Sequence, residues 1–356
     1  MKKTAVVFTP KFLDHDTGLG HPENSKRLKV VMRELQNSNI LSDARKYELI
    51  EPEQATIEDL ELTHTSQHIQ LVKRICELGG GLLDSGDTVV SPKSYEVARY
   101  AVGGALKAVD LVFTKKYRNA FSMIRPPGHH AGPYYAMGFC VFNNIAVAAK
   151  HLTKRLHLDR VLILDIDSHH GNGTQEIFYH TEKVLYISLH EDPEEFPGTG
   201  FVEETGVDKG LGYNVNIPLP FGVCDKTYLQ ALDYIVVPII RQYNPEFILL
   251  SAGYDGYQGD PVGRLGLSAS IYEIIFEKLL DLASTFCEDK LVVLLEGGYN
   301  LKQLGKLVAS TISKMGSFPY TKDDKKTFQK VRTEKQGDEI IEEIKKVHSV
   351  FWSLPR

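Results

Sequence analysis

The sequence predicts an α/β fold, with a largely parallel central sheet and helices packed on both of its faces. Two observations carry this. Six short, near-continuous apolar runs rich in β-branched residues recur along the 356 residues, the pattern of strands buried on both sides. Longer stretches with apolar residues at helical spacing lie between them. The chain opens on a charged pair and the run 5–8 (AVVF), which is too short for the apolar part of a secretion signal. No small-residue cleavage site follows, so it reads as a first strand. Residues 94–113 carry Ala and Val at helical spacing, and the strand run 120–124 follows. An Ala-rich helix is expected over 143–156, and strands over 161–164 and 184–189. Amphipathic helices at 225–243 and 270–286 flank the strand run 247–250, and 291–295 supplies the sixth run. The segment 320–326 (YTKDDKK) is a charged connection. Residues 334–350 then read as a C-terminal helix whose Ile340, Ile341, Ile344 and Val347 dock on the body. There is no internal repeat and no Gly/Ser- or Pro-rich linker. Residues 1–356 are therefore expected to form a single domain, with 317–356 its charged connection and closing helix.

Charge and cysteine usage narrow the function classes. Lys plus Arg total 41 against 46 for Asp plus Glu, a net −5 that argues against a strongly basic nucleic-acid binder. No run approaches the roughly 18 apolar residues of a membrane span. Cys76, Cys140, Cys224 and Cys287 lie far apart with no CxxC pair, which suggests reduced thiols in a cytoplasmic protein. The oligomeric state stays open. The less usual number is 13 His, four of which form the adjacent pairs His129-His130 and His169-His170.

In open α/β sheets ligands bind outside the carboxyl ends of the strands, and the polar oddities of this chain sit there. RPPGHHA (125–131), DIDSHHGNGT (165–174), His190, SAGYDGYQGDP (251–261) and EGGYN (296–300) each follow an apolar run. At strand period two, Asp165, Asp167 and His169 point the same way. Such a buried charge cluster is costly unless it is paired or holds a metal. One Asp alone would read as a helix cap or turn. Three convergent ligand types before Gly171-Asn172-Gly173 favour a metal, with Asp167 and His169 as ligands and Asp255 as the third. Two carboxylates and one imidazole form an open site that suits Zn²⁺ with a water, or Fe²⁺.

A lone His near a strand end is usually a satisfied core residue. Pro126, Pro127 and Gly128, however, impose a tight extended approach on His129 and His130, and tandem imidazoles beside a metal-bound water supply a general base, a general acid, or both. Asp165 and Asn172 are available to orient them, and an amide leaves its histidine nearer neutral than a carboxylate does. Gly297-Gly298 lets the backbone turn sharply and aim Tyr299 inward, where a phenol can donate to a developing oxyanion. Standing alone, Gly-Gly-Tyr would be a core tyrosine.

Together these motifs, from HPENSKRL (21–28) to Asn300, resemble the histone deacetylase superfamily of zinc amidohydrolases. That superfamily includes class II deacetylases, acetylpolyamine amidohydrolases and acetoin-utilisation proteins. The resemblance implies an arginase/deacetylase-like three-layer fold with about eight strands. It implies zinc on Asp167, His169 and Asp255, and His129 and His130 as catalytic histidines, His130 being the base. Tyr299 would polarise the carbonyl, Asp165 would orient His129, and Asn172 would contact His130. Asp in place of Asn172 marks the class I type, so Asn172 leans to class II. Gly138-Phe139 and Phe196 match the walls of an acyl-lysine tunnel. Asp165, Asp167, His169, Ser188 and Leu189 match a structural K⁺ site, and Phe178, Thr181, Val184 and Tyr213 a weaker second one. Asp87 matches a rim aspartate that grips the substrate backbone. Val262 stands where polyamine deacetylases carry a gatekeeping Glu, which argues against that substrate class. The loop 190–212 is rich in acids; such a run is more often simply solvated, and the alternative is an acidic rim that attracts a basic peptide or amine.

The implied activity is removal of acetyl or other acyl groups from acetyl-lysine in proteins or peptides, or from related acetylated amines. Its rivals are a small-molecule acetylpolyamine deacetylase, an arginase-like two-manganese ureohydrolase and a non-catalytic acyl-lysine scaffold.

Overall fold

The computed structural model describes residues 3–320 and 331–355. Eight strands form one sheet: β1 Thr4–Val7, β2 Tyr47–Ile50, β3 Asn119–Ser122, β4 Val161–Asp165, β5 Val184–Glu191, β6 Asn214–Leu219, β7 Phe247–Ala252 and β8 Leu291–Leu295. Their order is β2-β1-β3-β8-β7-β4-β5-β6, and every pair is parallel. The six apolar runs are six of these strands. Their residues are buried throughout, because helices cover both faces and leave no solvent side to populate with polar groups.

Of these eight, the two strands absent from the sequence reading are the sheet edges; a separate antiparallel pair, Gly81–Leu82 and Val89–Val90, was not expected either. Tyr47–Ile50 (YELI) is largely exposed, and Asn214–Leu219 (NVNIPL) alternates polar with apolar. An edge strand has one unpaired side, so it escapes the requirement for a continuous apolar run and tolerates Pro218. Helices Lys26–Asn37, Ser66–Glu77, Asn172–Phe178 and Leu304–Met315 were likewise not expected from the sequence. Two expected helices are interrupted. Asn144–Lys150 passes into a π-turn over His151–Arg155, and a π-turn at Leu232–Val236 separates Asp225–Ala231 from Val237–Tyr243.

The sheet order matters for function because β3, β8, β7, β4 and β5 are consecutive neighbours. The five strand ends that carry the polar motifs therefore open side by side at one edge of the sheet. Asn143 helps hold that edge together. Its Oδ1 accepts the Ala146 N–H at 3.0 Å, capping the helix Asn144–Lys150. Its Nδ2 donates to the Ala131 carbonyl at 3.0 Å and the Thr174 hydroxyl at 3.1 Å, bracing the loop that bears the first histidine pair.

The charged connection lies outside the described residues apart from Tyr320. Beyond it, helix Val331–His348 packs on β6 and on Asp225–Ala231 through Ile341 and Ile344, with Ile340 and Val347 partly buried against the same core. Trp352 Nε1 donates to the Gly212 carbonyl at 2.9 Å, so the chain end latches onto the loop leading into β6. Ile344 has no exposed surface. Ile344→Ala is expected to cost roughly 2–4 kcal/mol by lost transfer energy and a residual cavity. A denaturant melt measures it, and a loss under about 1 kcal/mol would mean that the helix docks only loosely.

Candidate active site

Asp167, His169 and Asp255 bring one ligand atom each within 4.8 Å of one another. His169 turns Nδ1 to Asp255 Oδ2 at 3.1 Å and to Asp167 Oδ1 at 3.3 Å. The backbone holds the carboxylates in place: Gly297 N–H donates to Asp167 Oδ2 at 2.8 Å and Ser168 N–H to Asp255 Oδ1 at 2.9 Å. Gly297 is needed here, since a Cβ would stand 2.6 Å from Asp167 Oδ2 and 2.7 Å from Asp255 Oδ2. Burial and the charge of Asp167 push Asp255 up to about 7. Two buried carboxylates converging on one imidazole fit a divalent cation, whose charge would relieve their repulsion.

Asp165 does not join this cluster. Strand β4 ends at Asp165, the chain bends, and strict alternation stops. Its carboxylate faces sideways instead, 3.0 Å from His129 Nδ1 and accepting the Tyr186 hydroxyl at 3.1 Å. Asn172 Oδ1 lies 2.7 Å from His130 Nδ1, and its Nδ2 donates to the Tyr135 hydroxyl at 3.1 Å. With that amide pinned, the oxygen faces the ring, and His130 carries its proton on Nδ1 and leaves Nε2 free to accept.

The paired rings, 4.0 Å apart, titrate in opposite directions. Burial favours neutral His129, but Asp165 and Asp167 outweigh it and lift the ring to about 10. Burial, then the neighbouring His129 and His169, hold His130 well below its ordinary value. One ring is poised as a proton donor and the other as an acceptor, the separation that marks acid and base partners.

A pocket of about 200 Å³ opens on these groups. Its walls include His129, His130, Asp167, His169 and Tyr299, with Phe139, Phe196, Gly138, Val262 and Asp87. Every sequence-assigned substrate contact thus lines one cavity. Gly138 has φ +55°, and a Cβ there would lie 2.5 Å from His130 Cδ2 and 3.0 Å from Phe196 Cζ. Gly138→Ala is expected to displace the His130 ring and cut kcat/KM by at least about tenfold, while the melting temperature shifts by only a few degrees. Wild-type kinetics in that variant would show that the wall yields without moving His130.

Several residues inside the quoted motifs had no role assigned from the sequence, because their partners are distant in the chain. Arg27, from helix Lys26–Asn37, lies 4.8 Å over the Tyr299 ring; its Nε donates to the Gly298 carbonyl at 2.7 Å and its Nη2 to the Glu296 carbonyl. Asp260 Oδ2 accepts the N–H groups of Tyr299 at 2.7 Å and Asn300 at 2.8 Å. Glu296 Oε2 accepts the Gly128 and His129 N–H groups at 2.7 and 3.3 Å, tying the tyrosine turn to the histidine loop. Glu296 also clusters with His129 and Cys140, but burial and Glu296 itself hold that thiol protonated, a poor ligand.

The acidic rim expected from the loop 190–212 is largely dispersed. Glu191 is buried, Glu195 pairs with Arg264 at 2.6 Å, Glu204 accepts the Gly200 N–H at 2.9 Å, and Asp208 meets His180 at 2.9 Å. Asp192, Glu194 and Glu203 line a separate groove beside the C-terminal helix. Of the residues matched to monovalent sites, Asp165 and Ser188 are register partners on β4 and β5, Leu189 follows, and Thr181 N–H donates to the Phe178 carbonyl at 3.1 Å. Val184 opens β5, and the Tyr213 carbonyl accepts the Tyr186 N–H at 3.0 Å.

Residues 21–315 match the histone deacetylase domain family. The chain belongs to the histone deacetylase family. It is 38% identical over 358 residues to a probable deacetylase of Archaeoglobus fulgidus, covering 98% of each chain. It is 38% identical over 279 residues to a histone deacetylase-like amidohydrolase of Pseudomonas aeruginosa, covering 78% of this chain and 72% of that one. The crystal structure of the HDA15 HD domain matches with a TM-score of 0.88 at 35% identity, over 99% of this chain and 95% of the other. The family's α/β fold is thus the fold of this chain. No helix among the described residues is long and apolar enough to cross a membrane.

Proposed function

We propose that this histone deacetylase family member is a zinc-dependent amidohydrolase that removes acetyl groups from acetyl-lysine in proteins or peptides. The observation that carries the reading is the convergence of the Asp167–His169–Asp255 triad, the oppositely tuned His129–His130 pair and Tyr299 on one aromatic-walled pocket. Phe139 and Phe196 on the pocket wall suit an extended alkyl stem, and the polar floor suits an amide. A zinc ion held by the triad would polarise the acetyl carbonyl and acidify a water. His130 takes the proton of the attacking water at Nε2. His129, charged and steadied by Asp165, stabilises the developing negative charge. Tyr299 donates its O–H to the oxyanion, and the protonated histidine pair returns a proton to the leaving amine.

Asp165, Asp167, His169, Ser188 and Leu189 are proposed to hold a structural potassium ion beneath the triad. The whole chain is read as one catalytic domain. The four buried free cysteines suit a reducing compartment such as the cytoplasm.

Acetylated polyamines are the second reading. Apolar Val262 at the pocket and the dispersal of the acidic loop count against a site selecting a polycation. Turnover of acetyl-lysine peptide, longer acyl-lysines, acetylspermidine and acetylputrescine by zinc-loaded protein, before and after chelation, tests both. Chelator-sensitive hydrolysis of the peptide is expected to exceed that of the polyamines. The reverse order would install the polyamine reading, and no turnover of any substrate would leave a non-catalytic binding module.

A further inference from the structure

Strand β5 ends on a carboxylate turned inward. Glu191 is 3% exposed, and a carboxylate that deep requires partners. Its Oε2 accepts the Ser168 hydroxyl at 2.7 Å and the Arg264 backbone N–H at 2.6 Å. Its own N–H donates to the Ser168 carbonyl at 2.8 Å. These bonds grip the single residue that separates Asp167 from His169. The other oxygen, Oε1, faces the Arg264 Nε at 3.6 Å and His169 Nε2 at 3.8 Å. His169 therefore has its ligating Nδ1 on one side, toward Asp167 and Asp255, and a carboxylate behind it on the other.

We propose that Glu191 is a positioning residue of the metal centre, setting the tautomer and orientation of His169 from behind the ring. The role rests on the metal-centre reading above. A negative charge at Nε2 favours the tautomer with its proton there, frees the Nδ1 lone pair, and raises its affinity for a cation. At 3.8 Å the coupling is electrostatic, longer than a hydrogen bond. Arg264 opposes it by sharing the same oxygen. Its guanidinium is fixed over the Phe221 ring at 4.2 Å and bonded to Glu195 at 2.6 Å. Arg264 is two residues from Val262 and Glu195 one from Phe196, so this ion pair bridges two loops that wall the pocket and balances the charge behind the metal ligand.

The test is metal affinity, measured by titrating the apo-protein with Zn²⁺ against a chromophoric chelator, with a thermal melt alongside. Glu191→Gln keeps the shape and hydrogen-bonding oxygen but removes the charge; affinity is expected to fall about tenfold or more, within the range for lost partners of metal-ligating histidines. Arg264→Gln removes the opposing charge and is expected to tighten binding a few-fold. A merely structural role predicts that both variants weaken binding, and that result overturns the proposal. So does wild-type affinity in Glu191→Gln. Should Glu191→Gln melt early, the sign of the Arg264→Gln change still decides. Asp255→Ala is the control: if it binds Zn²⁺ as wild type does, the metal centre itself falls, which is distinct from failure of Glu191 alone.

Discussion

Tyr299→Phe is expected to lower kcat for an acetyl-lysine peptide by about 10²–10³-fold, or ~3–4 kcal/mol, with KM and melting temperature little changed. Burial holds the phenol well above its ordinary range, with Asp255 and Asp167 adding to the effect and Arg27 opposing it. It therefore stays an O–H donor across the working pH range. The ring is held independently of that hydroxyl, by Arg27 on its face and by Asp260 gripping the N–H groups of Tyr299 and Asn300. Phe keeps the ring and those backbone bonds, so only the donor is lost. Steady-state kinetics beside a thermal melt measure the effect. Near wild-type turnover would remove Tyr299 from the chemistry and leave it a wall of the pocket.

His130→Ala is expected to cost about 10²–10⁴ in kcat, the range for loss of a positioned general base. The pH profile adds a sharper discriminator. A base works when deprotonated, so activity rises with pH through the pKa of His130. Because that value is held well below 6.5, the acid limb is expected beneath that pH. The charged partner works when protonated, so activity falls as pH rises past the His129 value of about 10. Rate measurements over the full range should show the acid limb in the wild type and lose it in His130→Ala. A wild-type acid limb near pH 8, or one that survives the substitution, would reject the assignment of His130 as base. Asn172→Asp probes the same ring: a carboxylate in place of the amide favours the imidazolium and should move the acid limb upward.

The central strands were legible because burial on both faces forces uninterrupted apolar runs such as 161–164 and 291–295. The edge strands were not, since Asn214 and Asn216 are buried by bonding Gln175, a pairing between residues some forty positions apart. The site was legible to the extent that its ligands are local. Asp167 and His169 lie two residues apart, the histidines are adjacent, and Tyr299 follows two glycines. Arg27, Asp260, Glu296 and Glu191 had no role assigned from the sequence, because an arginine or carboxylate reads as solvated until its partners arrive from elsewhere in the chain. In the acidic loop, Glu195 meets Arg264 and Glu204 meets a backbone N–H.

The amino-acid sequence by itself determined the fold class, the strand ends at which chemistry gathers, and the residue types available there. These follow from short-range rules: periodicity, turn chemistry, and the cost of burying unpaired charge. Tertiary structure set how far the two imidazoles are driven apart: against its burial His129 is pushed up by Asp165 and Asp167, and His130 is pushed down by burial and its neighbours. It also supplied the geometry behind the carboxylate roles: Asp165 lies 3.0 Å from His129 Nδ1, while Asp255 and Asp167 stand 3.1 and 3.3 Å from His169 Nδ1. A bend of the chain after Asp165 sets the direction of each carboxylate, and direction is what separates a ligand from the group that steers its neighbour.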